Sequence, residues 1–374
     1  MDIVHWIKNT GGDDDVMYEY WFARIRGISV NKKMSLREYF GDGKAIFNIE
    51  ERRVKEVRFL TEKEQMVLLQ AKKERDIESK YLELEEKKIN FIPIYEKIYP
   101  EKLRSIMSPP YALYVKGELP DNNKKTIAIV GARRCTPYGE AIALEYGEIL
   151  AGHNVQIISG MARGIDGAGQ RGALNKKGKT FAVLGCGVDI CYPGEHQGLY
   201  QDIQINGGVL SEYFPGTPPL AAHFPARNRI ISGLADAILV IEAKEKSGSL
   251  ITADMALEQG KDVYALPGPV TSSLSKGCHY LISQGAGILI SPSDLLKELR
   301  IEEAQLEQKS DKNKKELETP ENIVYSCLGL YPKGLERLVN ETMLSPKQIM
   351  RDLVSLELEG KVKEISKNQY VRIR

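Results

Sequence analysis

The sequence has little cysteine: five residues (Cys135, Cys186, Cys191, Cys278, Cys327), scattered and odd in number, with no Cys-x-x-Cys pair. That spacing argues against a disulfide framework and against a zinc ribbon. Histidine is as sparse, and His5, His153, His196, His223 and His279 show no metal-ligand spacing with acids or cysteines, so no metal and no cofactor is expected. A dominant charge sign is missing too. Lys plus Arg total 52 against 51 Asp plus Glu, a net charge of +1, which removes the simplest argument for a nucleic-acid protein. Any polyanion must therefore be met by a local site. No apolar run approaches the roughly 18–20 residues a membrane helix needs. The stretch MDIVHWIKNTGGDDD has no signal-peptide core, so a reduced, cytoplasmic protein with no membrane partner is expected.

Several catalytic signatures are also absent. There is no Gly-x-Ser-x-Gly elbow. Gly172 to Thr180 resembles a phosphate-binding P-loop, but five residues separate its glycines and it precedes a strand instead of following one. Gly185-Cys186-Gly187 lacks the third glycine of a dinucleotide fingerprint. No paired acid and base can be assigned, and the chain is not expected to be an enzyme.

What is present is unevenly distributed. Of 33 glycines, 24 lie between Thr126 and Ser291, and this stretch holds only 13 basic and 14 acidic residues. Glycine-rich, charge-poor sequence fits buried parallel strands joined by tight turns. Strands are expected at Thr126–Gly131, Val155–Ser159, Thr180–Gly185, Gly208–Glu212, Ala237–Glu242 and Asp262–Leu266, with a short one near 287–290. Helical segments between most of them predict an α/β fold, a doubly wound, mostly parallel sheet with right-handed crossovers. About half of residues 51–90 are charged, with Val54, Val57, Leu60, Met66, Leu68 and Leu69 at helical spacing. Residues 1–90 are therefore read as a helical N-terminal domain, 91–300 as the α/β domain and 301–320 as a charged linker. Residues 321–374 form a C-terminal unit. There Ser345-Pro346-x-Gln348 starts a helix, Gly360 stops it, and a hairpin turns at Lys367-Asn368, the pattern of a winged helix. Its nine basic and seven acidic residues are a weak bias for a groove reader, and a protein-interaction or accessory role is favoured.

Ligands bind such sheets at the carboxyl ends of the strands. The first strand runs into Gly131, Arg133 and Arg134 at the start of a helix, and the second into Gly160, Arg163 and Gly164. Glycine lets backbone N–H groups approach an anion at a helix N-terminus, and arginine supplies charge. Asp166 could cap the second of these helices. Lys244, Ser247, Gly248 and Ser249 form a similar loop after the fifth strand, where simple N-capping by Ser249 is an equal reading. Upstream, Phe224 stands beside Arg227, Asn228 and Arg229, a stacking surface next to phosphate and base-edge donors.

In order along residues 90–295, GARRCTPYG, SGMARGIDGAGQRGAL, LGCGVDICYPGEH, SEYFPGTPP, HFPARNRIISGL, SGSLITADMALEQG, YALPG and GCHYLISQGA resemble the DNA-processing protein A family (DprA, also called Smf). The resemblance implies an extended Rossmann fold with a sterile-alpha-motif-like N-terminal domain and a C-terminal winged helix. It also implies single-stranded DNA binding without hydrolysis, protection of incoming strands in natural transformation, loading of the RecA recombinase, and a homodimer. Gly131, Arg133, Arg163, Arg227 and Arg229 match the family pattern. Ala132 stands where relatives often have a hydroxyl, and Gly194 and Ala221-Ala222 where some carry a basic residue. The alternative from another class is a phosphoribohydrolase-like enzyme, with SGSLITADMALEQG as its Gly-rich loop and helix. That loop lacks the paired glycines of the enzyme signature, and Glu258 stands alone toward the helix end.

Overall fold

The computed structural model describes residues 13–301, 320–329 and 332–373. Apart from its two end residues, the linker expected over 301–320 lies outside the described residues. The chain divides into two compact units, one built from nearly all of residues 1–302 and one holding the C-terminal helices and hairpin.

The first unit is organised by nine strands: β1 (Asn90–Pro93), β2 (Ala112–Gly117), β3 (Thr126–Gly131), β4 (Gln156–Ser159), β5 (Thr180–Val183), β6 (Gly207–Ser211), β7 (Ala237–Ile241), β8 (Asp262–Ala265) and β9 (Gly287–Ile288). They are ordered β1-β2-β6-β5-β4-β3-β7-β8-β9. From β6 to β9 every pairing is parallel. β2 joins β6, and β1 joins β2, antiparallel. The central strands are apolar on both faces because helices cover both: every residue of β4, β5 and β7 is buried. The expected doubly wound, mostly parallel sheet is therefore present, with an antiparallel extension that the sequence reading did not assign.

Its topology fixes where a ligand can go. From β3 the chain builds outward through β4, β5 and β6, then returns to the other side of β3 with β7. The loops leaving β3 and β7 consequently diverge to opposite faces and open a crevice between them.

Six helices between Asp13 and Glu86 precede the sheet. The helix Glu62–Ala71 begins with a reciprocal capping box, in which Thr61 Oγ1 accepts from the Glu64 N–H at 3.3 Å and Glu64 accepts from the Thr61 N–H at 2.8 Å. Trp21, Phe22, Leu36, Ile46 and Leu68 share one apolar cluster with Phe91, Tyr111 and Tyr114 of the sheet edge. The buried Glu19 carboxylate accepts from Gly43 N at 2.7 Å and Tyr111 Oη at 2.6 Å and pairs with Arg37. Residue 90 is thus a change in secondary structure but not a gap in packing.

The second unit packs helices Pro320–Cys327, Leu335–Thr342 and Pro346–Leu358 on a three-stranded sheet, β10 (Lys333–Gly334), β12 (Gln369–Arg372) and β11 (Val362–Ser366). Its core is Leu338, Ile349, Leu353, Leu356, Val362 and Tyr370. Ser345 Oγ accepts from Gln348 N at 3.4 Å, Gly360 takes φ +68° at the helix end, and Asn368 turns the hairpin at φ +58°. This is a winged helix.

Candidate nucleic-acid interface

At the carboxyl ends of β3 and β7 a cleft of about 530 Å³ is lined by Gly131, Arg133, Phe224, Arg227, Asn228, Ser247, Gly248 and Ser249, among others. Eight residues scattered over 119 positions of sequence are gathered by the topology at one point.

Gly131 ends β3 with no room for a side chain. A Cβ there would lie 1.9 Å from the Ile241 carbonyl oxygen of β7. The glycine is required by strand packing at the switch point, a more immediate reason than ligand approach. It delivers Arg133, which is exposed and has no carboxylate partner among the described residues. Its guanidinium lies over the Phe224 ring, 5.5 Å from the centroid. Tyr192 stands against the same ring at 5.4 Å and 32°. On the far wall the helix Gly248–Glu258 points its N-terminus into the cleft. Ser247 Oγ caps it, accepting from Ser249 N at 3.4 Å and contacting Ser249 Oγ at 2.7 Å. Asn228 Nδ2 donates to Gly248 O at 3.3 Å, which ties the two walls together.

The other sequence-selected residues are engaged elsewhere. Arg227 lines the cleft but is buried, and its guanidinium donates to Gly160 O at 3.1 Å, to Val183 O and to Asn228 Oδ1 at 3.2 Å. Burial pulls its pKa down to about 10 although Asp166 is close. It clamps the ends of β4 and β5 instead of standing ready for phosphate. Gly160 is shaped to it: a Cβ there would meet the guanidinium at 2.5 Å. Asp166 does not cap its helix. Its buried carboxylate turns back to accept from Gly160 N at 3.1 Å and Ala162 N at 3.4 Å, so two amides of the second loop already hold an internal anion. Burial raises the Asp166 pKa. Gly164 takes φ +70° with the Ala132 carbonyl 2.4 Å from where a Cβ would be, a packing requirement again.

Arg163 is exposed but paired, Nε and Nη2 reaching Glu195 at 2.5 and 2.7 Å. That fork holds the Glu195 carboxyl below its ordinary pKa. Arg229 lies outside the cleft, in a two-pronged pair with Glu212 at 2.7 and 2.6 Å, and donates to Ser108 O at 2.8 Å. Arg134 and Lys244 are exposed and do not line the cleft. Tyr192 was not among the residues selected from sequence. Its signal was an aromatic beside Pro193, in the loop that follows Gly185-Cys186-Gly187.

The arrangement combines one unpaired cation, two aromatic faces and a helix N-terminus. It suits a phosphodiester with an adjoining base face. The lining includes one carboxyl group, Asp166, and that group is held by backbone amides. Among the described residues no group of three His, Cys, Asp or Glu side chains could hold a metal ion. No described helix is long and apolar enough to cross a membrane.

Residues 90–300 match the family model for DNA recombination-mediator protein A. The chain belongs to the DNA-processing protein A (DprA/Smf) family. A second match, to the DprA winged helix domain, covers residues 308–366. The chain is 44% identical over 227 residues to protein Smf of Escherichia coli, covering 60% of this chain and 61% of that protein. It is 42% identical over 224 residues to the DNA processing protein DprA of Streptococcus pneumoniae, covering 59% of this chain and 78% of that one. The matched stretch is thus less than two thirds of the E. coli relative's length. Among solved structures, S. pneumoniae DprA superposes with a TM-score of 0.64 at 35% identity, over 75% of this chain and 97% of that chain. DprA of Helicobacter pylori, described for its single-stranded DNA binding mode, gives 0.51 at 30% identity over 57% and 95%.

Proposed function

We propose that this chain binds single-stranded DNA in the cleft between β3 and β7. The observation that carries the proposal is Arg133: exposed, without a carboxylate partner among the described residues, and laid over Phe224 at the switch point, opposite the N-terminus of Gly248–Glu258. A phosphate would take the guanidinium and the helix-start amides, while a base would stack on Phe224 or Tyr192. Membership in the family, and the H. pylori relative described for single-stranded DNA binding, support the reading. In the same reading the protein works as a homodimer that protects incoming strands and hands them to RecA.

The chain acts here as a binding protein. In the phosphoribohydrolase alternative Glu258 would serve catalysis, but it closes the helix whose first residue, Gly248, faces the cleft. The two are the ends of an eleven-residue helix, about 15 Å apart.

The test is affinity for oligothymidylate and for duplex of equal length across a salt series. Single strands should bind in preference, with log K falling against log salt by about 0.7 for each phosphate neutralised. Equal affinity for both forms, or no salt dependence, overturns the proposal. Co-sedimentation of the DNA-bound protein with RecA tests the hand-over.

A further inference from the structure

A second cleft, of about 480 Å³, lies on the other side of the 218–224 segment, between the N-terminal helices and the end of β6. Pro218, Leu220 and His223 line it, whereas Pro219, Ala221 and Phe224 line the first cleft. Residues of one segment thus face one cleft or the other, and this single stretch of chain is the wall between them.

The second cleft has its own cations. Lys33 is buried, 4% exposed, and its ammonium donates to Ala23 O at 2.7 Å. The remaining ammonium protons have no acceptor among the described residues, and no carboxylate pairs with the charge. The rings of Phe22 and Tyr111 stand 5.8 and 5.7 Å away. Burial lowers the Lys33 pKa to about 7, with no neighbouring charge to offset it. An anion placed beside this amine would favour its protonated form and offset the cost of burial. Arg26, at the cleft's mouth, is exposed and lies 4.6 Å from the centroid of Phe214, without a carboxylate partner among the described residues. Tyr213 and His223 form a stacked pair at 4.0 Å and 19°. The His223 ring is fixed by Nδ1 donating to Gly185 O at 3.1 Å.

We propose that this second cleft is a further nucleotide subsite, in which Lys33 and Arg26 take a phosphate and the Tyr213–His223 stack with Phe214 faces the base. The proposal rests on the single-strand reading of the first cleft for its main source of ligand: the strand crosses the thin wall and continues toward the N-terminal helices. A free mononucleotide offers the same chemistry.

The experiment uses the full chain, wild type, Arg26→Glu and Lys33→Met, with oligothymidylates of increasing length and with thymidine monophosphate. If the strand continues, the shortest oligomers that bind show unchanged affinity in both variants. Longer ones lose on the order of tenfold, and their salt slope shrinks by about 0.7. If a free nucleotide is the ligand, thymidine monophosphate raises the wild-type melting temperature but not that of Lys33→Met, with no dependence on oligomer length. Arg26 is exposed, so Arg26→Glu reports even if Lys33→Met folds poorly. Both variants matching wild type at every length and with the mononucleotide overturns the second subsite and leaves the first cleft standing. A wild type that binds no oligomer overturns the single-strand reading, and the mononucleotide then decides the subsite alone.

Discussion

The loops after β3 and β4 carry nearly the same sequence signal, a glycine and an arginine at a strand end before a helix, and the structure gives them opposite states. After β3, Arg133 reaches solvent with an aromatic ring beneath it and no carboxylate partner among the described residues. After β4, two amides are closed by Asp166, the arginine is paired to Glu195, and the loop carbonyl of Gly160 is held by buried Arg227. One loop is open to an anion and the other has been neutralised from within. A Gly/Arg loop is therefore open to an anion only when no carboxylate reaches it, and the deciding carboxylates lie 3 and 32 residues further along the chain.

The largest effect should come from removing the clamp under the closed loop. Arg227→Ala strips a buried cation from Asp166 and from two strand-end carbonyls, and should cost about 3–5 kcal/mol of stability. An unchanged urea midpoint would show that Arg227 is no clamp. Next, Phe224→Ala removes the ring shared by Arg133 and Tyr192. Oligothymidylate affinity should fall by about 1–3 kcal/mol with little loss of stability, as read by titration beside a melting curve. Arg133→Ala should weaken binding on the order of tenfold for all sequences alike and flatten the salt slope by about 0.7, whereas Arg163→Ala should change affinity less than about threefold. Equal losses for the two arginines would erase the distinction between the loops. The smallest effect sharpens it: Glu195→Gln frees Arg163, and affinity should rise by about two- to threefold at low salt only, since exposed pairs are screened. A loss of affinity would instead assign Glu195 a positioning role.

The sequence made the centre of the fold legible because a strand buried on both faces announces itself. TIAIVG, TFAVLG and AILVIE each hold an unbroken apolar run of four or five residues, and β3, β5 and β7 lie there. β1 was illegible because four residues ending in proline carry no periodic signal, and β2 because its short apolar run, ALYV, could equally belong to a loop entry. In the site, the eight residues named at the cleft come from three segments, those that follow β3, β6 and β7, which the doubly wound topology brings together. Topology does not set their states. Arg163 and Arg229 are closed by Glu195 and Glu212, pairs that depend on side chains meeting across loops. Tyr192 joins Phe224 over 32 residues of sequence, and no local pattern marks that contact.

The contact between Gly131 and the Ile241 carbonyl bears on how binding-deficient alleles should be interpreted. A methyl group at residue 131 would act as a wedge, prising β3 from β7 and dislocating Arg133 and the Ser247 turn together. Gly131→Ala would score in a genetic screen as a loss of DNA handling while touching no ligand at all. Mapping the interface by alanine substitution should therefore skip this residue, or pair it with a measure of sheet integrity, and count only Arg133, Phe224 and Tyr192 as direct informants.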